Sequence, residues 1–299
     1  MRICVVTTSY PARDGDPAGH FVKTEVDELE RAGHEVVVVT PRPGGAFGWP
    51  GAVARLEERP WRIGGAAAWM ALATAKIRRA RPQRIVAHWS VPSAWPVVRA
   101  SNVSGASLEV VSHGADVRLL VALPARVRRS IVAGIAARAA SWRFVSESLL
   151  EMLEKTLDPR VARDLRAIAR IAPAPLGMID VADDVRAHRS ALGARPLYVC
   201  AGRLVASKRV DKVIDYVATL RDREHEPVLV VLGDGPERPR LEQLAQRWQI
   251  DVRFLGNMPR REALGWIGAA DEVVHASVAE GLSTVLREAE HLGVKVTVL

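Results

Sequence analysis

The feature that most constrains the fold is a strand that cannot face water. Val36 to Val39 is an unbroken aliphatic run, and it follows a segment in which Phe21, Val22, Val26 and Leu29 recur at helical spacing until Gly33 stops the pattern. A strand with no polar alternation has to be covered on both faces, which is the condition of a parallel sheet with helices above and below. With Arg2 to Thr8 as a preceding strand and Pro11 to Gly19 as a loop rich in turn formers, the chain opens strand, loop, helix, strand. That is the first unit of a parallel α/β sheet.

The plan then repeats. Gly64 to Ala80 reads as a helix, Arg84 to His88 as a strand, Ser93 to Ala100 as a helix, and Leu108 to Ser112 and Trp142 to Ser146 as strands, with Ser146 or Glu147 starting the next helix. Pro41 to Ile63 has little periodicity and reads as a long irregular connection. Pro173, Pro175 and Gly177 mark a boundary, giving domains 1–176 and 177–299. New structure begins at Asp180 to Asp184. The second half predicts strand Leu197 to Ala201, helix Val210 to Leu220, strand Val228 to Leu232, helix Arg238 to Trp248, strand Val252 to Leu255, helix Arg261 to Ile267, strand Glu272 to His275, a further helix, and strand Val294 to Leu299. Each half is therefore expected to be a doubly wound parallel sheet, the two facing across a cleft.

Composition excludes some classes. The two cysteines, Cys4 and Cys200, each lie inside an apolar run, which fits buried thiols in a reducing compartment rather than a disulfide or metal site. There is no N-terminal signal pattern and no apolar run long enough to span a bilayer, so the expected location is cytoplasmic. The net charge of +8 sits entirely in residues 1–180, while 181–299 sum to zero. A dense patch at Arg126, Arg128, Arg129 and Arg138 is interleaved with Val121, Leu123, Val127, Ile131, Val132 and Ile135, as in an amphipathic helix. Such a face suits an anionic membrane surface, and the aromatics on which a nucleic acid would stack are absent from it. A plain solvated face is the alternative.

Chemistry-bearing residues cluster at strand ends. Glu280-Gly281-Leu282-Ser283-Thr284 follows the Glu272 to His275 strand and leads into a helix that carries Glu288. Gly281 permits a tight turn, and the first-turn amides near Ser283 and Thr284 suit an anion. Two carboxylates bracket that turn and could hold hydroxyls at either end of a sugar nucleotide. The plainer alternative is that Glu280 is a helix-start carboxylate and Glu288 a solvated mid-helix charge. Gly202-Arg203-Leu204 with Lys208 follows the first strand of the second half, where Arg203 can grip phosphate bidentately and Lys208 add a point charge, with solvated loop charges as the alternative. Gly233-Asp234-Gly235-Pro236 reads as a turn and cap, with Pro236 in the helix first turn. His113-Gly114-Ala115-Asp116 closes the Leu108 to Ser112 strand, where ligands of such sheets bind, although a loop histidine is the alternative. Asp14-Gly15-Asp16 has the letters of a metal-binding carboxylate pair but lies in a turn-rich loop, and the turn reading is preferred.

Taken with Gly19-His20-Phe21, Gly33-His34-Glu35-Val36, His88-Trp89, Val145-Ser146 and Phe254-Leu255-Gly256, these segments resemble the retaining glycosyltransferases of the GT-B fold, especially glycosyltransferase family four (glycosyl transferases group 1). Glu280 and Glu288, with seven residues between them, match the family's paired-glutamate motif. The resemblance implies two Rossmann-like domains, an N-terminal acceptor-binding one and a C-terminal nucleotide-sugar-binding one. It implies that Glu280 holds donor-sugar hydroxyls and Glu288 the ribose, and that Arg203 and Lys208 hold the pyrophosphate with the Ser283 and Thr284 amides. Gly19 and Gly202 would let loops approach the donor, His113 would line the sugar and acceptor site, and the main chain from Gly256 through Asn257 to Met258 would take the base. The implied reaction transfers a hexose from a UDP- or GDP-sugar to a glycan or lipid-linked acceptor with retention, with no metal and no cofactor beyond the donor. A nucleotide-sugar epimerase on the same plan and a non-catalytic nucleotide-sugar-binding protein are the alternatives. Members of that family continue past the strand after the paired-glutamate helix, so with the sequence ending at Leu299 the second domain is expected to be shortened, either as a trimmed natural form or because the sequence is a fragment.

Overall fold

The computed structural model describes residues 1–11, 19–41, 63–95, 97–98, 105–221, 226–277 and 282–299. They fall into two compact units that divide between Pro175 and Leu176. In the first, β1 (Arg2–Val6), β2 (Glu35–Val39), β3 (Arg84–His88), β4 (Ser107–Ser112), β5 (Ser141–Phe144) and β6 (Ala169–Ile171) form a sheet in the order β2-β1-β3-β4-β5-β6. Every neighbouring pair runs parallel.

Alternate residues of β1 explain why the sequence shows no polar alternation. Ile3 and Val5 pack with Val22 and Val26 of α1 (His20–Arg31), while Cys4 and Val6 point to the opposite core with Trp69, Ala73 and Ile77 of α2 (Ile63–Ala80). That second core also takes in α3 (Ala115–Ala122), α4 (Ala125–Ala136), α5 (Glu147–Glu154) and α6 (Pro159–Ile168) through Leu120, Ile135, Leu149 and Leu165. The two cysteines are buried free thiols, and desolvation pushes each up to about 12.

The second unit has β7 (Leu197–Ala201), β8 (Val228–Leu232), β9 (Asp251–Gly256), β10 (Glu272–His275) and β11 (Lys295–Val298), in the order β11-β10-β7-β8-β9 and again parallel throughout. One face carries α7 (Ala182–Leu192), α10 (Arg260–Ala269) and α11 (Thr284–His291), and the other α8 (Val210–Thr219) and α9 (Arg238–Trp248). Both units are thus doubly wound sheets.

The expected elements are present within a residue or two, with several differences. The basic stretch is two helices, because Pro124 follows Leu123 in extended conformation and breaks the pattern between α3 and α4. α9 starts at Arg238, so Pro239 rather than Pro236 occupies its first turn. The expected Ser93 to Ala100 helix begins as a wide turn at Ser90–Ala94, and 96 and 99–100 lie outside the described residues. So do 42–62 of the irregular connection, the Asp14-Gly15-Asp16 triplet, and Glu280 and Gly281.

Candidate functional site

Strand order decides where each unit can bind a ligand. In the second unit the chain leaves β7 toward β8 on one side, and β10 lies on the other, so the carboxyl ends of β7 and β10 form the point where the winding reverses. Gly202, Arg203 and Lys208 follow β7 there. The loop after β10 is tied to them, since Ser277 Oγ donates to the Ser207 carbonyl at 3.5 Å. Arg203 is exposed and Lys208 half-buried. Burial, and after it the Lys208 ammonium, holds the His275 imidazole below its usual range.

The glycines of this edge are fixed by the protein's own backbone. Gly233 has φ 118°, and a Cβ on it would fall 2.1 Å from the Gly202 carbonyl oxygen. A Cβ on Gly235 would fall 2.3 Å from the Leu204 oxygen. The Gly202 amide donates to Leu232 O at 2.9 Å and the Gly233 amide to Gly256 O at 2.8 Å, which locks the ends of β7, β8 and β9 together. The turn reading of Gly233 to Pro236 therefore holds, with its glycines serving loop-on-loop packing. Asn257 is exposed and Met258 half-buried, between β9 and α10.

Ser283 caps α11 with no side-chain capping bond, and Thr284 begins its first turn, where amides have no intrahelical partner. Glu288, on the same helix, is not a solvated charge: it is 5% exposed. Arg260 Nη2 donates to its Oε1 at 2.7 Å, and the same guanidinium donates to the carbonyls of Gly177, at 2.5 Å, and Leu176. Sequence reasoning missed Arg260, because nothing local marks a pairing across 28 residues.

In the first unit the winding reverses between β1 and β3. Gly19 is the N-cap of α1 with φ 65°, and its missing side chain is required by Ser9, whose carbonyl oxygen would lie 2.2 Å from a Cβ. β3 ends at His88, with Trp89 next, and β4 leads to His113. Trp89 holds φ 68°, a conformation rare for a bulky residue, and its ring lies 4.9 Å from His113 and 6.0 Å from Phe21. His113 Nε2 is 3.0 Å from Nδ1 of the fully buried His88. Burial lowers both imidazoles below the usual range, which keeps them neutral.

Asp116 organises this edge. Its Oδ1 accepts from the amides of His113 (3.0 Å) and Gly114 (3.1 Å), and its Oδ2 from the amide and hydroxyl of Ser90, both at 2.8 Å. It is 2% exposed. Its signal was in the sequence, three residues after the histidine, where a carboxylate can bond back to the turn before a helix.

Residues 183–298 match the family model of the glycosyl transferases group 1. Over the whole chain, 99% of it aligns at 24% identity with 80% of TuaC from Bacillus subtilis (strain 168), a glycosyltransferase provisionally assigned to teichuronic acid biosynthesis. A GDP-mannose-dependent α-(1-6)-phosphatidylinositol monomannoside mannosyltransferase of Mycolicibacterium smegmatis (strain ATCC 700084 / mc(2)155) is 29% identical, over 98% of this chain and 78% of its own. Among solved structures, Anabaena HepE in complex with UDP-glucose superposes with a TM-score of 0.69 at 18% identity, covering 100% of this chain and 80% of that one. Two doubly wound parallel sheets and these likenesses agree: the chain has the GT-B fold, its residues 183–298 match the glycosyl transferases group 1 model, and along its length it is similar to glycosyltransferases.

Proposed function

We propose that the chain is a retaining hexosyltransferase that takes a UDP- or GDP-hexose and transfers the sugar to a glycan or lipid-linked acceptor. One observation carries this reading: Glu288 is a buried carboxylate, oriented by Arg260, on a helix whose N-terminus follows the β10 loop at the winding reversal of the second unit. A buried, held carboxylate suits a ribose diol, and the helix start with Arg203 and Lys208 suits a diphosphate. The leaving group's charge would then be met by fixed donors without a metal. The relatives lend the substrate classes. HepE was crystallised with UDP-glucose, and the mycobacterial enzyme is named for GDP-mannose and a phosphatidylinositol-linked acceptor.

In this reading Glu288 holds the ribose, Glu280 the donor sugar, and the main chain around Asn257 and Met258 the base, while His113 meets the sugar and acceptor. Glu288→Gln is expected to raise the donor KM about tenfold, about 1.4 kcal/mol of binding, and Glu280→Gln to lower kcat more than donor affinity. Nucleotide release from a panel of UDP- and GDP-sugars, with a lipid and glycan acceptor mix, measures both. Full activity of both variants on a donor the wild type uses would remove the site assignment.

We also infer contact with an anionic membrane surface from the cytoplasmic side. Among the described residues no helix is long and apolar enough to cross a membrane. The basic patch is smaller than the sequence suggests, because Arg128 donates to the carbonyls of Val121, Leu123 and Thr156 and so serves the fold. Arg126, Val127 and Arg129 are exposed together at the start of α4, Val127 at 45%, with Arg129 paired to Asp158 at 3.0 Å. Sedimentation with phosphatidylglycerol vesicles at low salt, where surface electrostatics are strongest, is expected to pull the protein down and to fail for the Arg126→Glu, Arg129→Glu double variant. Absence of binding by the wild type under those conditions rules the contact out.

A further inference from the structure

Behind His113 lies a chain of buried polar groups that the proposed reaction does not use. His88 at the end of β3 is wholly buried, and its ring stacks on that of His113 with centroids 5.2 Å apart and planes 15° apart. Its Nδ1 faces His113 Nε2 at 3.0 Å. Its Nε2 makes no hydrogen bond and faces Glu25 Oε2 at 3.9 Å. Glu25 projects from α1 and is itself largely buried. Its other oxygen is held by Arg143 of β5, whose Nε also lies 3.2 Å from Glu109 of β4.

A neutral imidazole carries one N–H, and one proton lies between His88 Nδ1 and His113 Nε2. It can belong to either ring. If His88 keeps it, the bare lone pair on His88 Nε2 is aimed at the Glu25 carboxylate inside a poorly screened interior, a repulsive arrangement. If His113 keeps it, His88 carries its own proton on Nε2, pointed at that carboxylate, and accepts on Nδ1. The second arrangement is attractive at both contacts. We infer that Glu25, acting through His88, holds His113 as the Nε2–H tautomer, so that His113 offers an acceptor lone pair on Nδ1 to a donating sugar hydroxyl. His88 and Glu25 are then positioning residues. The proton arrangement stands on the geometry alone, whereas its use toward a sugar rests on the proposed placement of His113.

The test reads the two separately. Long-range 1H–15N correlation spectra of the 15N-histidine-labelled protein, with His113 assigned by its disappearance in His113→Asn, are expected to show a protonated Nε2 and an unprotonated Nδ1. His88→Asn, whose side-chain oxygen can replace the accepting Nδ1, is expected to preserve that tautomer. His88→Phe, which keeps the ring packing, and Glu25→Gln, which removes the anion, are expected to shift it toward Nδ1–H. In a transfer assay His88→Phe is expected to lose about fivefold or more in kcat, the worth of one neutral hydrogen bond, with His88→Asn near the wild type. A protonated Nδ1 in the wild type, or a tautomer unmoved in both His88→Phe and Glu25→Gln, overturns the inference. A shifted tautomer with unchanged turnover supports it and overturns instead the placement of His113 at the sugar.

Discussion

Arg260→Met is expected to destabilise the second unit by about 3–5 kcal/mol, the range for removing one partner of a buried ion pair. The guanidinium is 17% exposed and the Glu288 carboxylate 7%. Arg260 also donates to the carbonyls of Leu176 and Gly177, at the start of the unit. Its removal leaves a desolvated carboxylate without its cation and two carbonyls without that donor. Two units need not unfold in one step, so the measurement is native-state amide exchange read at α10 and α11, where the loss of protection reports local stability. Arg260→Lys keeps the charge but not the fork that spans three acceptors, and should recover only part of the loss. The double variant Arg260→Met, Glu288→Leu should recover most of the stability, because an apolar pair of similar volume often matches a buried ion pair, while donor binding stays lost. A change below 0.5 kcal/mol in the single variant, roughly that of an ordinary surface substitution, would show that the pair does not hold the helix.

Asp116→Ala is expected to cost about 3 kcal/mol or more, since bonds to a charged group contribute about 1.5–3 kcal/mol each and this carboxylate accepts four. Those bonds tie the turn after β3 to the turn after β4. The loss should therefore loosen Ser90 and His113 together, and lower turnover more than the stability change alone requires. Asp116→Asn keeps one acceptor oxygen but turns an NH2 group toward N–H donors, and is expected to fall between the wild type and alanine. Urea unfolding with near-UV circular dichroism, sensitive to the Trp89, Phe21 and His113 cluster, measures the first effect and nucleotide release the second. If alanine is tolerated within 1 kcal/mol and without loss of turnover, Asp116 is not what sets this edge.

Local pattern carried most of the fold because the burial is two-sided. Ile3, Val5, Cys4 and Val6 are all 0% exposed, so strands of this kind announce themselves as apolar runs, and the helices between them by 3.6-residue spacing. Two places misled for physical reasons. The stretch from Val121 to Ile135 has a continuous amphipathic rhythm, yet Pro124 cannot continue a helix from Leu123, and Arg128 turns inward to cap carbonyls instead of facing outward. The short β6 strand, Ala169–Ile171, is half-buried to exposed and carries no apolar signature; only pairing with β5 makes it a strand.

The candidate site divides in the same way. The residue types at strand ends, Gly202-Arg203, Lys208, His113 and the carboxylate of Glu288, were legible because motif and position lie within a few residues of one another. Their order across each sheet was not. That β10 lies beside β7, and β3 beside β1, follows from pairing between segments far apart in sequence, and it is this pairing that creates the two winding reversals. Burial was not legible either: an isolated glutamate on a helix looks solvated until Arg260 arrives from another helix, and His88 looks like a strand end until His113 and Glu25 close on it. The sequence by itself determined most of the elements and which chemical groups stand at their ends, because those depend largely on neighbours within a turn or two. Only the tertiary structure decided which charges are paired, which imidazole nitrogens face each other and which glycines are indispensable, because each depends on a contact between atoms that the chain brings together from tens of residues away.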